Sequence, residues 1–224
     1  MKLPVTYILA PTIGDAWFQC ISKVQEVGFR YEIQQGSFVG QTRLEFDWVT
    51  IQIEHPYSEP YDTMLPDIPP HLGIPNPVAP GYIDQYLPYL MTDCVESGEQ
   101  YTYGSRIVPQ LDWLITLLQK TPNTNQAVLQ VAQPSDHKLS DPPCLRHIDI
   151  RVKENVGLIF YPYFRSWDLY SGFPANLAGL AVLQKYIADS LAIPVGPMCA
   201  NSKGLHLYGY VEELAKIRCS RCSR

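Results

Sequence analysis

Residues 141–164, DPPCLRHIDIRVKENVGLIFYPYF, place a rigid turn, a cysteine and two strand-like runs in immediate succession. Residues 145–152 and 157–164 have the pattern of strands, and they are close enough in sequence to form a hairpin across 153–155. The Pro142-Pro143 pair is rigid and excludes a helix at this point. The sequence therefore predicts an antiparallel strand pair with the Cys144 thiol at one end.

Further strands and helices are predicted on both sides of this hairpin. Trp17, Ile21, Val24 and Val27 recur at helical spacing and end at Gly28, so residues 13–27 are a predicted helix. The same reasoning predicts helices at 109–120 and 176–191 and strands at 2–9, 38–53, 127–131 and 205–211. Because helices and strands do not alternate regularly, the fold class is α+β, in one domain spanning 1–224.

Residues 55–88 differ in composition from the rest of the chain, because they include nine prolines. Such a density excludes long helices and central strands. Tyrosines and leucines are frequent in the same stretch, so we expect a long loop ordered against the body of the domain rather than a linker. Residues 216–224 are interpreted as a basic tail.

Composition narrows the class of protein. Charged residues make up 17% of the 224 residues, below the usual level of about 25%, which suggests that part of the surface is buried in an oligomer. The net charge of −5 argues against nucleic-acid binding, and no apolar run is long enough to span a membrane. Six cysteines without a disulfide-type spacing indicate reduced thiols and a cytoplasmic location. The Cys219/Cys222 pair has no second pair or histidines beside it and does not indicate a metal site.

Cys144 is the first candidate for chemistry. An attacking cysteine reacts as a thiolate, so it needs nearby positive charge. Alternate residues of a strand share a face, so Arg146 is expected beside Cys144, and Arg165 ends the facing strand. The alternative is that Cys144 is only a small buried apolar residue.

Residues 165–168, Arg-Ser-Trp-Asp, and 172–176, Gly-Phe-Pro-Ala-Asn, form a second candidate site before a helix. Arg165 and Ser166 can bind a phosphate, and the Asn176 amide can match the O4 and N3–H edge of uracil. The alternative makes Asn176 a helix N-cap and 172–174 a turn. A third pair, His206 and Tyr208, shares one face of a strand and can bind a sugar hydroxyl, or can simply be a half-buried polar pair.

Together these motifs resemble thymidylate synthase in their order and spacing, over about residues 101–213. Residues 101–104, Tyr-Thr-Tyr-Gly, fit the tyrosine-glycine segment of that family, and Asp-Pro-Pro-Cys-Leu-Arg, Tyr-Phe-Arg-Ser and Pro-Ala-Asn resemble its short, archaeal-type branch. Each motif is weak alone, and the ordered set is strong. The resemblance implies a thymidylate synthase-like fold, in which a mixed twisted sheet with flanking helices forms a homodimer through the sheet.

The resemblance also implies a role for each matched residue. Cys144 adds to C6 of the pyrimidine and makes C5 nucleophilic, and Tyr103 supports proton removal at C5. Arg165, which also lies near the thiolate, and Ser166 hold the 5′-phosphate. The remaining implied contacts are Asn176 to uracil, His206 and Tyr208 to the ribose 3′-hydroxyl, and Asp168 and Gly172 to the pterin. The implied reaction converts dUMP to dTMP, with 5,10-methylene-tetrahydrofolate or a methylene-tetrahydromethanopterin-like pterin as co-substrate and without a metal.

Three features depart from the family pattern. Asn125 and Gln126 stand where much of the family has an arginine pair that reaches the partner's phosphate site. Arg146 and Arg43 are the first candidates to compensate, ahead of Arg151 and Arg106. The glutamate that organises water near O4 is either Glu54 or Glu45. The family's C-terminal tail, which closes over the co-substrate, is not recognisable in 216–224.

Three other functions remain open at this point. A hydroxymethylase of the same fold would add water rather than hydride, although Asn176 favours a uracil base over cytosine. A non-catalytic nucleotide-binding relative is a second alternative. A hydrolase that pairs Cys144 with His137 or His147 is a third, but His147 is expected on the opposite strand face.

Overall fold

Two β-sheets organise the computed structural model, which describes residues 3–36 and 38–219. The strands are β1 (Val5–Ala10), β2 (Phe29–Glu32), β3 (Thr42–Glu45), β4 (Trp48–Ile53), β5 (Val128–Gln130), β6 (Leu145–Lys153), β7 (Gly157–Phe164), β8 (Trp167–Asp168), β9 (Val195–Ser202) and β10 (Leu205–Tyr208). The α-helices are α1 (Ile13–Val27), α2 (Tyr82–Met91), α3 (Tyr103–Ile107), α4 (Leu111–Lys120), α5 (Gly172–Ser190) and α6 (Gly209–Cys219). Short 3-10 helices span Tyr61–Met64, Pro70–Leu72, Val108–Gln110 and Pro134–Lys138.

The larger sheet is mixed and has the order β1-β4-β9-β7-β6-β5. The predicted hairpin is its β6–β7 pair, which is antiparallel. Strands β7 and β9 pair in parallel, and α5 lies between them in the chain. Helices α1 and α5 contact each other and pack on one face of this sheet. Strand β1 shows the consequence, because Ile8 and Ala10 are buried while Val5, Tyr7 and Leu9 on the other face are exposed.

The smaller sheet has the order β2-β3-β10-β8 and gathers the polar candidates. Strand β10 pairs with β3, which sets Tyr208 opposite Arg43, and also with β8, which sets His206 opposite Asp168. Residues far apart in sequence therefore meet across three neighbouring strands.

Helix α1 has the predicted bounds, because its ends and its face are both encoded locally. Thr12 caps it by accepting the Asp15 N–H at 3.2 Å, and Gly28 follows its last residue. Trp17, Ile21 and Val24 are fully buried, as their helical spacing predicts.

Helix α2 corrects the prediction of a loop through residue 88. The stretch 55–81 contains only the first two 3-10 helices, but residues 82–91 are α-helical with Pro88 inside. Proline removes one backbone donor, and burial of Ile83 and Leu90 on one face outweighs that loss. The proline count concealed this apolar spacing.

Other elements also differ from the prediction. The predicted strand 38–53 is divided into β3 and β4, and the predicted helix 109–120 is α-helical only from Leu111. Helix α5 begins at Gly172, four residues before the predicted start. The predicted strand at 205–211 ends at Tyr208, and α6 begins at the next residue. Strands β2 and β9 are not predicted from the sequence. Residues 216–219 of the predicted tail belong to α6, and residues 220–224, including Cys222, lie outside the described residues. None of the described helices is long and apolar enough to cross a bilayer.

Candidate active site

One cavity of about 460 Å³ brings together most of the residues that the three motifs predict. We call it the Cys144 cavity. It lies between the start of β6, the β7–β8 turn, β10 and β3. The site residues predicted from the sequence that line this cavity are Cys144, Arg165, Ser166, Asp168, His206, Tyr208 and Arg43.

Cys144 is held at the wall of this cavity by Arg165. The Arg165 N–H donates to the Cys144 carbonyl at 2.9 Å, and the Arg165 guanidinium donates to the carbonyls of Pro142 and Pro143. The Pro-Pro turn is therefore tied to the end of β7. Arg165 also lies 3.5 Å from Asp141, so its charge is shared between this carboxylate and the cavity.

The ionisation of Cys144 reflects two opposed effects. Burial of the half-buried thiol raises its pKa, and Asp141 adds to that rise. Arg165 is the strongest of the groups that lower the pKa, followed by Arg43 and Arg146. Burial dominates in this state of the protein, so the thiol form of Cys144 is favoured.

Arg146 lies differently from the simple strand expectation. A β-bulge between Leu145 and His147 interrupts the alternation of side chains. The Arg146 guanidinium donates to the Pro143 carbonyl at 3.2 Å and lies 4.0 Å from Asp136. The prediction that it shares the face of Cys144 is therefore wrong in detail, since Arg146 does not line the Cys144 cavity and acts on the thiol only through its charge.

Tyr103 lies behind Cys144 rather than in the cavity wall. Its hydroxyl accepts the Leu145 N–H at 3.3 Å, and its ring packs edge-on against Tyr89. Burial raises the pKa of Tyr103 well above its usual value, and the neighbouring Cys144 contributes. Tyr103 therefore stays protonated beside Cys144.

His206 presents a defined hydrogen-bond acceptor to the cavity. Its Nδ1 lies 2.8 Å from the Gly204 carbonyl, which can only accept, so Nδ1 carries the proton. Burial, with the charge of Arg43, lowers the pKa of His206 to about 4, so the ring is neutral. Its Nε2 is buried and has no hydrogen-bond partner among the described residues. A ligand hydroxyl that donates a proton fits this atom.

Arg43 and Tyr208 form the wall beside His206. Arg43 Nη2 donates to the Tyr208 hydroxyl at 3.1 Å, and the guanidinium lies 5.1 Å from the Tyr208 ring centre. The Tyr208 ring meets His206 edge-on at 4.7 Å. This arrangement gives the cavity a second arginine opposite Arg165, which suits an anionic ligand.

A second cavity of about 450 Å³ adjoins the first and shares Asp168 with it. We call it the Gly172 cavity. The Asp168 carboxylate accepts the backbone N–H groups of Tyr170, Ser171 and Gly172 at the start of α5. A carboxylate has about four acceptor positions, so one remains for a ligand N–H. The other lining residues are Pro77, Val78, Ala79, Tyr82, Ser171, Gly172, Ala175 and Asn176.

Asn176 lies in the Gly172 cavity and does not cap a helix. Because α5 begins at Gly172, Asn176 is inside the helix, which overturns the N-cap alternative. Its amide meets the Trp167 indole N–H at 3.0 Å and the Tyr86 hydroxyl at 2.9 Å. A side chain at position 172 would begin 3.3 Å from Asp168 Cβ and 3.8 Å from the Asn176 oxygen. Glycine there keeps this corner open.

The remaining charged candidates have other partners. Arg106 makes a bidentate ion pair with the buried Asp136, so it is not free to bind phosphate. Arg151 donates to Asn125 at 2.7 Å, away from both cavities. Glu45 accepts the Tyr31 hydroxyl at 3.0 Å and lies 3.7 Å from His206.

Among the described residues, neither His137 nor His147 is paired with Cys144. His147 lies 3.5 Å from Asp149, and His137 contacts the Pro134 carbonyl at 2.8 Å. Among residues 3–36 and 38–219, no group of three or more histidine, cysteine or acidic side chains could hold a metal ion.

Sequence reasoning missed three contributors to the site. The sequence gives Trp167 no role of its own, and it predicts a loop at Tyr86 and a strand at Phe38. Phe38 has a positive φ and packs on Tyr208 at the mouth of the Cys144 cavity. The spacing of Tyr82, Tyr86 and Tyr89 at i, i+4 and i+7 could have revealed α2 and the side chain that reaches Asn176.

Comparison with known proteins yields one consistent family. The family model described as thymidylate synthase matches residues 76–224, well over half of the chain. A protein named "Putative thymidylate synthase" from Methanosarcina barkeri is 29% identical, over 93% of this chain and 94% of its own length. Relatives with the same name from Methanococcoides burtonii (28%; 91% and 89%) and Methanothermobacter marburgensis (26%; 88% and 90%) are similarly related.

Proposed function

Because this chain belongs to the thymidylate synthase family, we propose that it transfers a one-carbon unit from a reduced pterin to C5 of dUMP and yields dTMP. The family implies a methyltransferase that binds dUMP and a folate-type co-substrate. The observation that carries the finer proposal is the Cys144 cavity, in which a thiol, two arginines and a neutral histidine acceptor converge. An adjoining cavity leaves room for a second, planar substrate.

The nucleotide is bound through its sugar and its phosphate. His206 Nε2 accepts a hydrogen bond from the ribose 3′-hydroxyl, since this buried atom is an acceptor without a partner among the described residues. Tyr208 supports the same hydroxyl. Arg165, Ser166 and Arg43 bind the 5′-phosphate, because guanidinium groups match phosphate oxygens in charge and geometry.

The reaction begins when the Cys144 sulfur attacks C6 of the uracil ring. The new S–C6 bond moves the C5–C6 electron pair toward C5 and O4, so C5 becomes the nucleophile. Arg165 and Arg43, which lower the pKa of Cys144, stabilise the attacking thiolate. Charge at O4 is stabilised by the Asn176 amide, and Tyr103 supports the later loss of the C5 proton.

The pterin co-substrate fits the Gly172 cavity. Asp168 has one acceptor position left for a ring N–H, Gly172 keeps the corner open, and Val78 and Tyr82 provide an apolar wall. The co-substrate supplies the one-carbon unit and the hydride. A folate and a methanopterin-like pterin share the ring edge that meets Asp168 and differ in the tail, which extends toward residues 77–79.

Tritium release from [5-³H]dUMP with methylene-tetrahydrofolate tests this function. We expect release together with dTMP, and no release from Cys144→Ser, which still binds dUMP. The Cys94→Ser variant is the control, because Cys94 is an exposed thiol outside both cavities. Release with 5-hydroxymethyl-dUMP as product would replace the synthase by a hydroxymethylase. Absence of release with either pterin, and of debromination of 5-bromo-dUMP, would overturn the enzymatic proposal.

A further inference from the structure

The Asn176 amide is oriented by a group that can only donate. Trp167 Nε1 lies 3.0 Å from the Asn176 atom assigned as oxygen, and an indole nitrogen has a hydrogen but no lone pair to offer. Oxygen and nitrogen of an amide are otherwise interchangeable in shape, so their assignment follows from the hydrogen-bond network. Only one orientation of the Asn176 amide satisfies the Trp167 donor, and in it Oδ1 faces Trp167.

Trp167 is itself fixed in place. It is 3% exposed, stacks on Phe164 with ring centres 3.9 Å apart and planes 7° apart, and lies 4.8 Å from the Phe173 ring. Its backbone belongs to β8, paired with Leu205 of β10. The indole N–H therefore cannot turn away when a ligand approaches Asn176.

Tyr86 contacts the other end of the amide without dictating its orientation. Asn176 Nδ2 donates to the Tyr86 hydroxyl at 2.9 Å. A phenol can accept or donate, so it would serve equally well if Oδ1 faced it. The two neighbours of Asn176 are thus chemically unequal, and only Trp167 distinguishes one amide orientation from the other.

We propose that Trp167 is a positioning residue that locks the Asn176 amide and so makes the site select uracil over cytosine nucleotides. This inference rests on the proposed function, in which Asn176 meets the base. After its contacts with Trp167 and Tyr86, the amide retains one Oδ1 lone pair and one Nδ2 hydrogen. These match the N3–H donor and O4 acceptor of uracil.

Cytosine presents the opposite pattern, with an acceptor at N3 and a donor at N4. It could pair with Asn176 only if the amide turned over, which would set Nδ2–H against the Trp167 N–H. That arrangement loses a hydrogen bond and leaves two buried donors facing each other. Rejection of cytosine therefore depends on the single indole hydrogen of Trp167.

Calorimetric binding of dUMP and dCMP to three variants tests the lock. Trp167→Phe keeps an aromatic ring on Phe164 but removes the N–H, and we expect its preference for dUMP over dCMP to fall by about tenfold, or roughly 1.4 kcal/mol. Tyr86→Phe removes the hydroxyl that can either accept or donate, and is expected to keep a preference for dUMP over dCMP close to that of the wild type. Trp113→Phe, at an exposed tryptophan on α4, is the matched control.

The ratio of the dUMP and dCMP affinities distinguishes loss of the amide orientation from a general structural effect. A loosened site would weaken the binding of both nucleotides together. If Trp167→Phe unfolds, benzothienylalanine at position 167 replaces the N–H by sulfur in the same shape and is expected to give the same fall. An unchanged ratio in either folded variant would overturn the lock while the proposed function stands. Failure of the wild type to bind dUMP would overturn the proposed function and the lock with it.

Discussion

The Cys144 thiol is governed by a small number of charges that can be removed one at a time. Arg165 is the strongest group that lowers its pKa, so Arg165→Gln is expected to raise the pKa further and slow alkylation by iodoacetamide at pH 8. Arg146→Gln should have a smaller effect, and Asp141→Asn the opposite one. Mass spectrometry of the Cys144 peptide across a pH series gives each rate. Equal rates in all three variants would show that burial alone sets the reactivity.

At the residue scale, the sequence predicted which side chains lie together better than it predicted their surroundings. Cys144, Arg165, His206 and Tyr208 lie in one cavity. Strands β6, β7 and β10, which position them, can be recognised from the sequence pattern. The lock on Asn176 could not be predicted, because it joins three residues from different elements through a contact that has no sequence period.

The buried ion pair between Arg106 and Asp136 connects α3, which carries Tyr103, to the 3-10 helix Pro134–Lys138 that precedes the Cys144 turn. Asp136→Asn leaves the Arg106 charge without its counterion and is expected to destabilise the fold by about 3–5 kcal/mol. Urea unfolding of this variant measures the loss. Asp112→Asn, at an exposed position of α4, is the control and is expected to change little.

The same pair makes stability depend on pH. The Arg106 guanidinium holds the pKa of Asp136 below its usual range, whereas in the unfolded chain an aspartate titrates near about 3.9. The stabilisation is therefore complete above that pH and is lost as the pH falls through the lower folded-state pKa. Asp136→Asn should flatten the acid limb of the stability curve, and an unchanged limb would contradict this assignment.

At the element scale, accuracy followed the locality of the signal. Helix α1 was predicted with correct bounds because its cap, apolar face and stop lie within residues 12–28. Helix α2 was missed because prolines dominate the segment 55–88. Strand β9 was missed because its alternating burial is set by its position inside the larger sheet. Elements that depend on tertiary contacts are those that composition and period describe least well.

At the scale of the whole molecule, no layer of the described residues 3–36 and 38–219 covers one face of the larger sheet near β1. Val5, Tyr7 and Leu9 are 70%, 58% and 48% exposed, and the neighbouring strands continue this face with Trp48. Tyr163 of β7 is partly exposed, and its ring stacks on the Trp48 ring with the ring centres 5.9 Å apart. Large contiguous apolar surfaces on soluble proteins mark interaction sites. We propose this face as the interface of the homodimer that the family resemblance implies.

A charge on β1, the edge strand of this face, tests the arrangement. Tyr7→Glu would bury an unpaired carboxylate in the interface, so we expect sedimentation to show dimers of the wild type and monomers of the variant. Tyr186→Glu is the matched control, because Tyr186 is 47% exposed on α5, on the opposite side of the sheet. It is expected to leave the dimer intact. Monomeric wild-type protein, or dissociation caused equally by both variants, would mean that the sheet face is not the interface.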